Sequence, residues 1–105
     1  MKITLLMSLV IVLGFIVFGY MHEQVHVEIF QSYGVETHVE YLPYFPHFVT
    51  IADSSTENCD SNCVLAHNIN EAISYPLMAF YILIGFGLLC IIWAIEELWI
   101  KEFIN

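Results

Sequence analysis

Two stretches of nineteen residues, Ile3 to Met21 and Leu77 to Ile95, contain no acidic or basic side chain. At about 1.5 Å per helical residue each reaches about 28 Å, close to the roughly 30 Å hydrocarbon core of a bilayer. A helix that is apolar on every side has no solvated face, so it needs either a large protein core or lipid around it. With only 105 residues, 59% of them hydrophobic, the chain cannot enclose two such helices. The expected fold class is therefore a mainly α membrane protein, one membrane domain over residues 1–105 with transmembrane segments at 3–21 and 77–95. A signal peptide has an apolar core of about 7–15 residues. The first run is longer, continuing through Phe15, Ile16, Val17, Phe18 and Tyr20, so a retained anchor is expected.

The only basic residues, Lys2 and Lys101, lie beyond the far ends of the two runs, and the 55 residues from His22 to Pro76 have none. By the positive-inside rule both termini are expected in the cytoplasm and residues 22–76 outside it. Trp93 and Trp99 bracket the inner end of the second run, as interfacial anchors do. A formal net charge of −9 excludes a phosphate-gripping role, so no nucleic-acid partner is expected, and it excludes a polybasic lipid anchor. The middle segment carries eight acidic residues, among them Glu23, Glu28, Asp60 and Glu71, and its ionic partners should be cations, metal ions included. Membrane lipid is the expected partner of the two runs.

Between the runs the periodicity changes twice. Val25, Ile29, Phe30 and Tyr33 recur at helical spacing with no Pro or Gly from His22 to Tyr33, so one helix is expected over Ile3 to Tyr33, ended by Gly34 in a left-handed cap. Val35, Thr37, Val39 and Tyr41 then alternate with Glu36, His38 and Glu40, which reads as a strand with one packed and one wet face. A turn at Pro43-Tyr44-Phe45-Pro46 and a return strand over Phe48 to Ile51 make a short β-hairpin. Asp53 to Asn62 has loop composition. Helical spacing resumes from Val64 to Tyr75, with Leu65, Ile69, Ala72 and Ile73 on one side, and Pro76 marks a kink or a restart. The two helices should thus extend beyond the bilayer as an antiparallel pair.

His22-Glu23-Gln24-Val25-His26 is a complete H-E-x-x-H. On a helix, residues four apart share a face, so both imidazoles can reach one metal ion while Glu23 acts as general base on a bound water. Two interfacial histidines facing water are the plain alternative. A third protein ligand is required, and His38, His47, Asp60, His67 and Glu71 are the candidates. Height favours Glu71: His26 lies five residues beyond Met21 and Glu71 five residues before Pro76, so antiparallel helices bring them level. His67 lies one turn further on the same face, as an alternative ligand or as a group orienting one. Cys59 and Cys63 read as a disulfide on an oxidising side, or with His67 as three ligands of a zinc knuckle; Cys90 reads as a packed thiol.

The segment His22 to Val35, HEQVHVEIFQSYGV, resembles the active-site helix of membrane-embedded zincin metallopeptidases, where H-E-x-x-H is followed by an apolar residue and then Gly-Val leading into a strand. Ala66 to Ala72, AHNINEA, resembles the second helix of the glutamate-type zincins, in which an Asn-Glu pair supplies the glutamate ligand. The resemblance implies Zn2+ held by His22, His26 and Glu71, Glu23 as the catalytic base, and a peptide substrate. It is local, and the second apolar run stays uncharged until Glu96 and Glu97, so cleavage is expected at the outer membrane surface and not within the bilayer. Tyr75 or His67 is the candidate donor to a developing oxyanion, and the strand from Val35 to Tyr41 a candidate edge for an extended peptide. So small a protein is expected to act with a homo-oligomer or a larger membrane partner, close helix contacts being offered by Gly14, Gly19, Gly85 and Gly87. The competing reading is a non-catalytic small subunit of a membrane complex whose histidines are structural.

Overall fold

The computed structural model describes residues 2–42 and 48–104. In chain order it has helix α1 (Lys2–Ser32), strands β1 (Thr37–Tyr41) and β2 (Phe48–Ala52), and helix α2 (Ser61–Ile104). The chain is mainly helical. Both helices contain a window long and apolar enough to cross a membrane. The expected turn at Pro43 to Pro46, and His47, lie outside the described residues.

α1 and α2 run antiparallel and touch along most of α1. At one end, Glu96 accepts from the backbone N–H of Ile3 at 2.7 Å and from the Thr4 hydroxyl at 2.6 Å, which satisfies donors that the start of a helix leaves without partners. Midway, the Tyr81 hydroxyl donates to the Ile11 carbonyl at 2.7 Å. Gly14 leaves room for the Tyr81 ring, and a side chain at Gly85 would press on Ile11 at 3.1 Å. Of the four glycines read as surfaces for another chain, these two serve the contact inside this one. Gly19 faces Phe48 of the hairpin, and only Gly87 has open space beside it.

α2 differs from expectation at both ends of its outer half. It begins at Ser61 rather than Val64, because the Asp60 carboxylate accepts from the N–H groups of Asn62 and Cys63, both at 3.0 Å, as an N-cap. It also continues through Pro76 as a single helix of 44 residues, about 66 Å long, matching the 69 Å extent of the molecule. The expected separate helix from Val64 to Tyr75 is its outer part. Proline removes one hydrogen bond there without ending the helix, a cost that a long, laterally supported helix absorbs.

His67, Asn70, Glu71 and Ser74, at i, i+3, i+4 and i+7, turn toward α1, and Ser74 is buried. Leu65, Ile69 and Ile73 are 55%, 50% and 56% exposed. Cys90, expected as a packed thiol, is exposed on the apolar stretch. Among the described residues the fully buried side chains are Val35 and Cys63, and the latter is joined to Cys59 in a disulfide.

Gly34 ends α1 with φ +77°. The N–H of Val35 bonds to the Phe30 carbonyl at 2.9 Å and that of Gly34 to the Gln31 carbonyl at 3.1 Å, a Schellman pair that turns the chain into the hairpin and buries Val35. β1 then pairs antiparallel with β2, Val39 opposite Thr50 and Tyr41 opposite Phe48. Glu36, His38 and Glu40 are on the wet face as the alternation implies, while Tyr41, expected on the packed side, is 52% exposed. The sheet lies on α1 alone, with the Phe48 ring edge-on to Tyr20 at 5.7 Å.

The Gly34 cap gives the first prediction. A Cβ there would meet only Asn58, at 3.9 Å, so Gly34→Ala suffers no clash and isolates the backbone term. Left-handed backbone costs an L-residue about 1–2 kcal/mol. Denaturant unfolding of the variant followed by circular dichroism should show a loss of that size, and an unchanged midpoint would contradict the assignment of the cap.

Candidate metal centre

Just past the first apolar run, α1 carries His22, Glu23 and His26 on the side that meets α2. The Nε2 atoms of His22 and His26 both point at one oxygen of Glu71, Oε1, at 3.0 and 2.5 Å. Ligands 2.0–2.2 Å from a tetrahedral zinc lie about 3.4 Å from one another. The two nitrogen–oxygen separations would therefore have to open by about 1 Å or less for a zinc ion to take both nitrogens and the oxygen as ligands. The donor set is the right chemistry for such an ion: two imidazoles and a carboxylate, with a fourth position left over.

Glu23 is placed differently. Its Oε2 accepts from the Thr50 hydroxyl at 2.5 Å, and its Oε1 stays 4.0 Å from His22 Nε2. The same hydroxyl lies 3.2 Å from the backbone carbonyl of Glu23. Of the two carboxylates, Glu71 contacts both imidazoles directly, whereas Glu23, whose carboxylate lies within 4.8 Å of both histidines, is bonded to the hairpin. Thr50 has no sequence signal. It arrives through the register that sets it opposite Val39, and the length of the hairpin loop decides that register.

His67 stands behind His26, Nδ1 to Nδ1 at 2.6 Å, with its ring stacked on that of His26 and against Phe30 at 4.2 Å. If His26 gives the lone pair of Nε2 to a metal, its proton sits on Nδ1 and is donated to His67. That role requires a neutral His67, and burial, followed by the charge of His26, lowers its pKa from 6.5 against a weaker opposing pull from Glu71. His67 Nε2 and His22 Nδ1 are buried without a partner. Burial is also the largest influence on Glu71 and would raise its pKa. The bonds from His26 and Tyr75 and the charges of His22 and His26 together outweigh it, so the group is held below 4.5 and ionised near neutrality. Asn70 donates to the His22 carbonyl at 3.4 Å and accepts from Ser74 at 3.1 Å, tying the two helices below the site.

The other candidates fall elsewhere. Asp60 caps α2. Cys59, Cys63 and His67 lie close enough to share an ion, but both sulfurs are committed to the disulfide and supply no thiolate. Tyr75 neighbours the site, its pKa raised above 10.0 by the Glu71 carboxylate, and the residue is 63% exposed. His38 is on the wet face of the hairpin, between Asp53 Oδ2 at 2.8 Å and Glu40 Oε1 at 2.9 Å. The cleft beside the histidines is lined by Val49 and Thr50, so the neighbouring strand is β2 and not β1. With Asp53 N–H bonded to the Glu36 carbonyl, the alternation of an antiparallel ladder turns the backbone groups of Phe48, Thr50 and Ala52 away from β1.

The His38 bridge makes a pH prediction. Its bonds to Glu40 and then Asp53 favour the imidazolium and raise its pKa above 6.5. Its contribution to hairpin stability is full below 6.5, the unfolded value, and is lost as pH rises through the higher folded value. Proton NMR of the His38 ring should give a midpoint above 6.5, and Asp53→Asn should lower it; a midpoint unmoved by that change would show the bridge to be absent. Compared with known proteins, the chain matches no family model, no curated protein and no solved structure.

Proposed function

We propose that this chain is a membrane-bound, zinc-dependent metallopeptidase whose site stands at the outer membrane surface. The single observation that carries the reading is the convergence of His22 Nε2 and His26 Nε2 on Glu71 Oε1, with Glu23 within 4.8 Å of both histidines and bonded to Thr50. Residues 3–21 and 77–95 cross the bilayer, both termini are cytoplasmic, and residues 22–76 are outside. Support for that topology is the charge-free length of the two runs and the placement of both lysines beyond them. The exposure of large apolar side chains along both helices, including Leu83 at 70% and Phe86 at 68%, supports it as well, since such a surface is stable against lipid and not against water.

In this reading His22, His26 and Glu71 hold the ion. A bound zinc supplies Lewis acidity toward a peptide carbonyl and lowers the pKa of a water. Glu23 Oε1 takes the proton of the attacking water and returns it to the departing amine, while the hydrogen bond from Thr50 keeps the carboxylate aimed. His67 fixes the tautomer and tilt of His26. An extended peptide pairs with the outward edge of β2, whose Thr50 side chain reaches the carbonyl and the carboxylate of Glu23.

One observation favours a second reading, a non-catalytic small subunit of a larger membrane complex with a structural metal site. The apolar stripe of Leu65, Ile69 and Ile73 is exposed beyond the second apolar run, where a partner chain would cover it. A homo-oligomer of the peptidase would cover it equally.

The two readings separate on Glu23. Purified without chelator, the protein should carry about one equivalent of zinc by elemental analysis, and His26→Ala or Glu71→Ala should lose it. Glu23→Gln should keep the zinc and lower peptide hydrolysis by about 10²-fold or more. Zinc retained with no hydrolysis by the unaltered protein would favour the subunit reading; metal-free protein would exclude both metal sites.

A further inference from the structure

The hairpin carries an uncharged stretch that lies beside the end of the first apolar run. From Tyr41 to Ala52 twelve consecutive residues carry no formal charge, although charges flank them at Glu40 and Asp53. β2 ascends along α1, with Phe48 against Gly19 and Tyr20 and Thr50 against Glu23. Its lower end is therefore level with the last three residues of the apolar run Ile3 to Met21, and its upper end is at the metal-ligand helix turn.

Three rings meet at that lower end. Tyr20 and Phe48 lie 5.7 Å apart, and Phe48 and Tyr41 5.1 Å apart. Tyr41 is 52% exposed and Tyr20 44% exposed, so the rings form an open aromatic patch among the described residues. The Tyr20 hydroxyl accepts from Gln24 at 2.8 Å, so its polar end is turned toward the polar part of the chain while its ring is level with the apolar run. That is how tyrosine sits at a membrane–water boundary. Glu40, the charge next to Tyr41 in the chain, is bonded to His38 at 2.9 Å.

The geometry points to Tyr20, Tyr41 and Phe48 as an interfacial anchor that seats the paired ends of β1 and β2 in the headgroup region of the outer leaflet. The occupant is lipid, because the patch continues the charge-free surface of α1 without a break. Its consequence reaches the cleft: Phe48 is two residues from Thr50, about 7 Å along an extended strand, and Thr50 holds Glu23. The bilayer plane thereby sets the height of the general base and of the β2 edge, which suits substrates whose scissile bond lies in a segment just outside the membrane. The inference rests on the membrane reading above and is independent of the metal.

Intrinsic fluorescence tests it in phosphatidylcholine vesicles with and without brominated acyl chains. Trp93 and Trp99 of the unaltered protein report whether the helices are in the bilayer. Tyr41→Trp and Phe48→Trp, each combined with Trp93→Phe and Trp99→Phe, report the hairpin, and Glu57→Trp in the same background reports the exposed loop. Tyr41→Trp alters an exposed ring, so it does not depend on repacking. The expected result is emission lowered by about half or more in brominated vesicles at positions 41 and 48, and unchanged at 57. Quenching of the native tryptophans with none at 41 and 48 would overturn the anchor and leave the membrane reading standing. Blue-shifted but unquenched emission at 41 and 48 would mean a protein cover, a second copy among the choices, and would overturn it too. Unquenched native tryptophans would remove the membrane reading and the anchor together.

Discussion

Antiparallel helices that stay in contact beyond a purely apolar stretch must change what they bury between them, and here the change is from side chains without charge to a polar ladder. Below, the pairing rests on close approach at Gly14 and Gly85 and on the Tyr81 hydroxyl bonded to the Ile11 carbonyl. Above, His22, His26, His67, Asn70 and Glu71 face one another. Polar groups at such a seam are costly unless they satisfy each other. Two imidazole nitrogens sharing one carboxylate oxygen are a crowded solution to that requirement, and a cation among them is a better one. The hairpin lies on α1 alone and completes the site from its other side, through one hydroxyl.

Much of this was legible in local sequence. The uncharged runs, the helix through His26, the αL residue at Gly34 and the alternation after it follow from composition, period and the freedom of a residue without Cβ at positive φ. The two histidines share a face because they are four apart on a helix, and Glu71 comes level with them because the lengths of the two apolar runs match. These are short-range facts or simple counting.

What was not legible depends on partners far away in the chain. The hydroxyl on Glu23 is one case, since it comes from a strand 27 residues later whose register no motif encodes. The glycines read as an invitation to other chains are mostly used within this one, and Cys90, apolar by neighbourhood, lies outside the helix contact. Pro76 interrupts the donor pattern without ending α2, because flanking residues keep helical geometry where lateral contacts hold them.

Pro76 leaves a mark on α2 all the same. Having no N–H, it cannot bond the Ala72 carbonyl, so the helix lacks one rung between the turn that bears Glu71 and the long shaft beneath. A rod with one missing rung flexes most easily at that level. The turn that presents His67 and Glu71 is thus fastened to the shaft by fewer rungs, and its distance from α1 rests on the bonds across the seam, Asn70 to the His22 carbonyl and Glu71 to the two imidazoles.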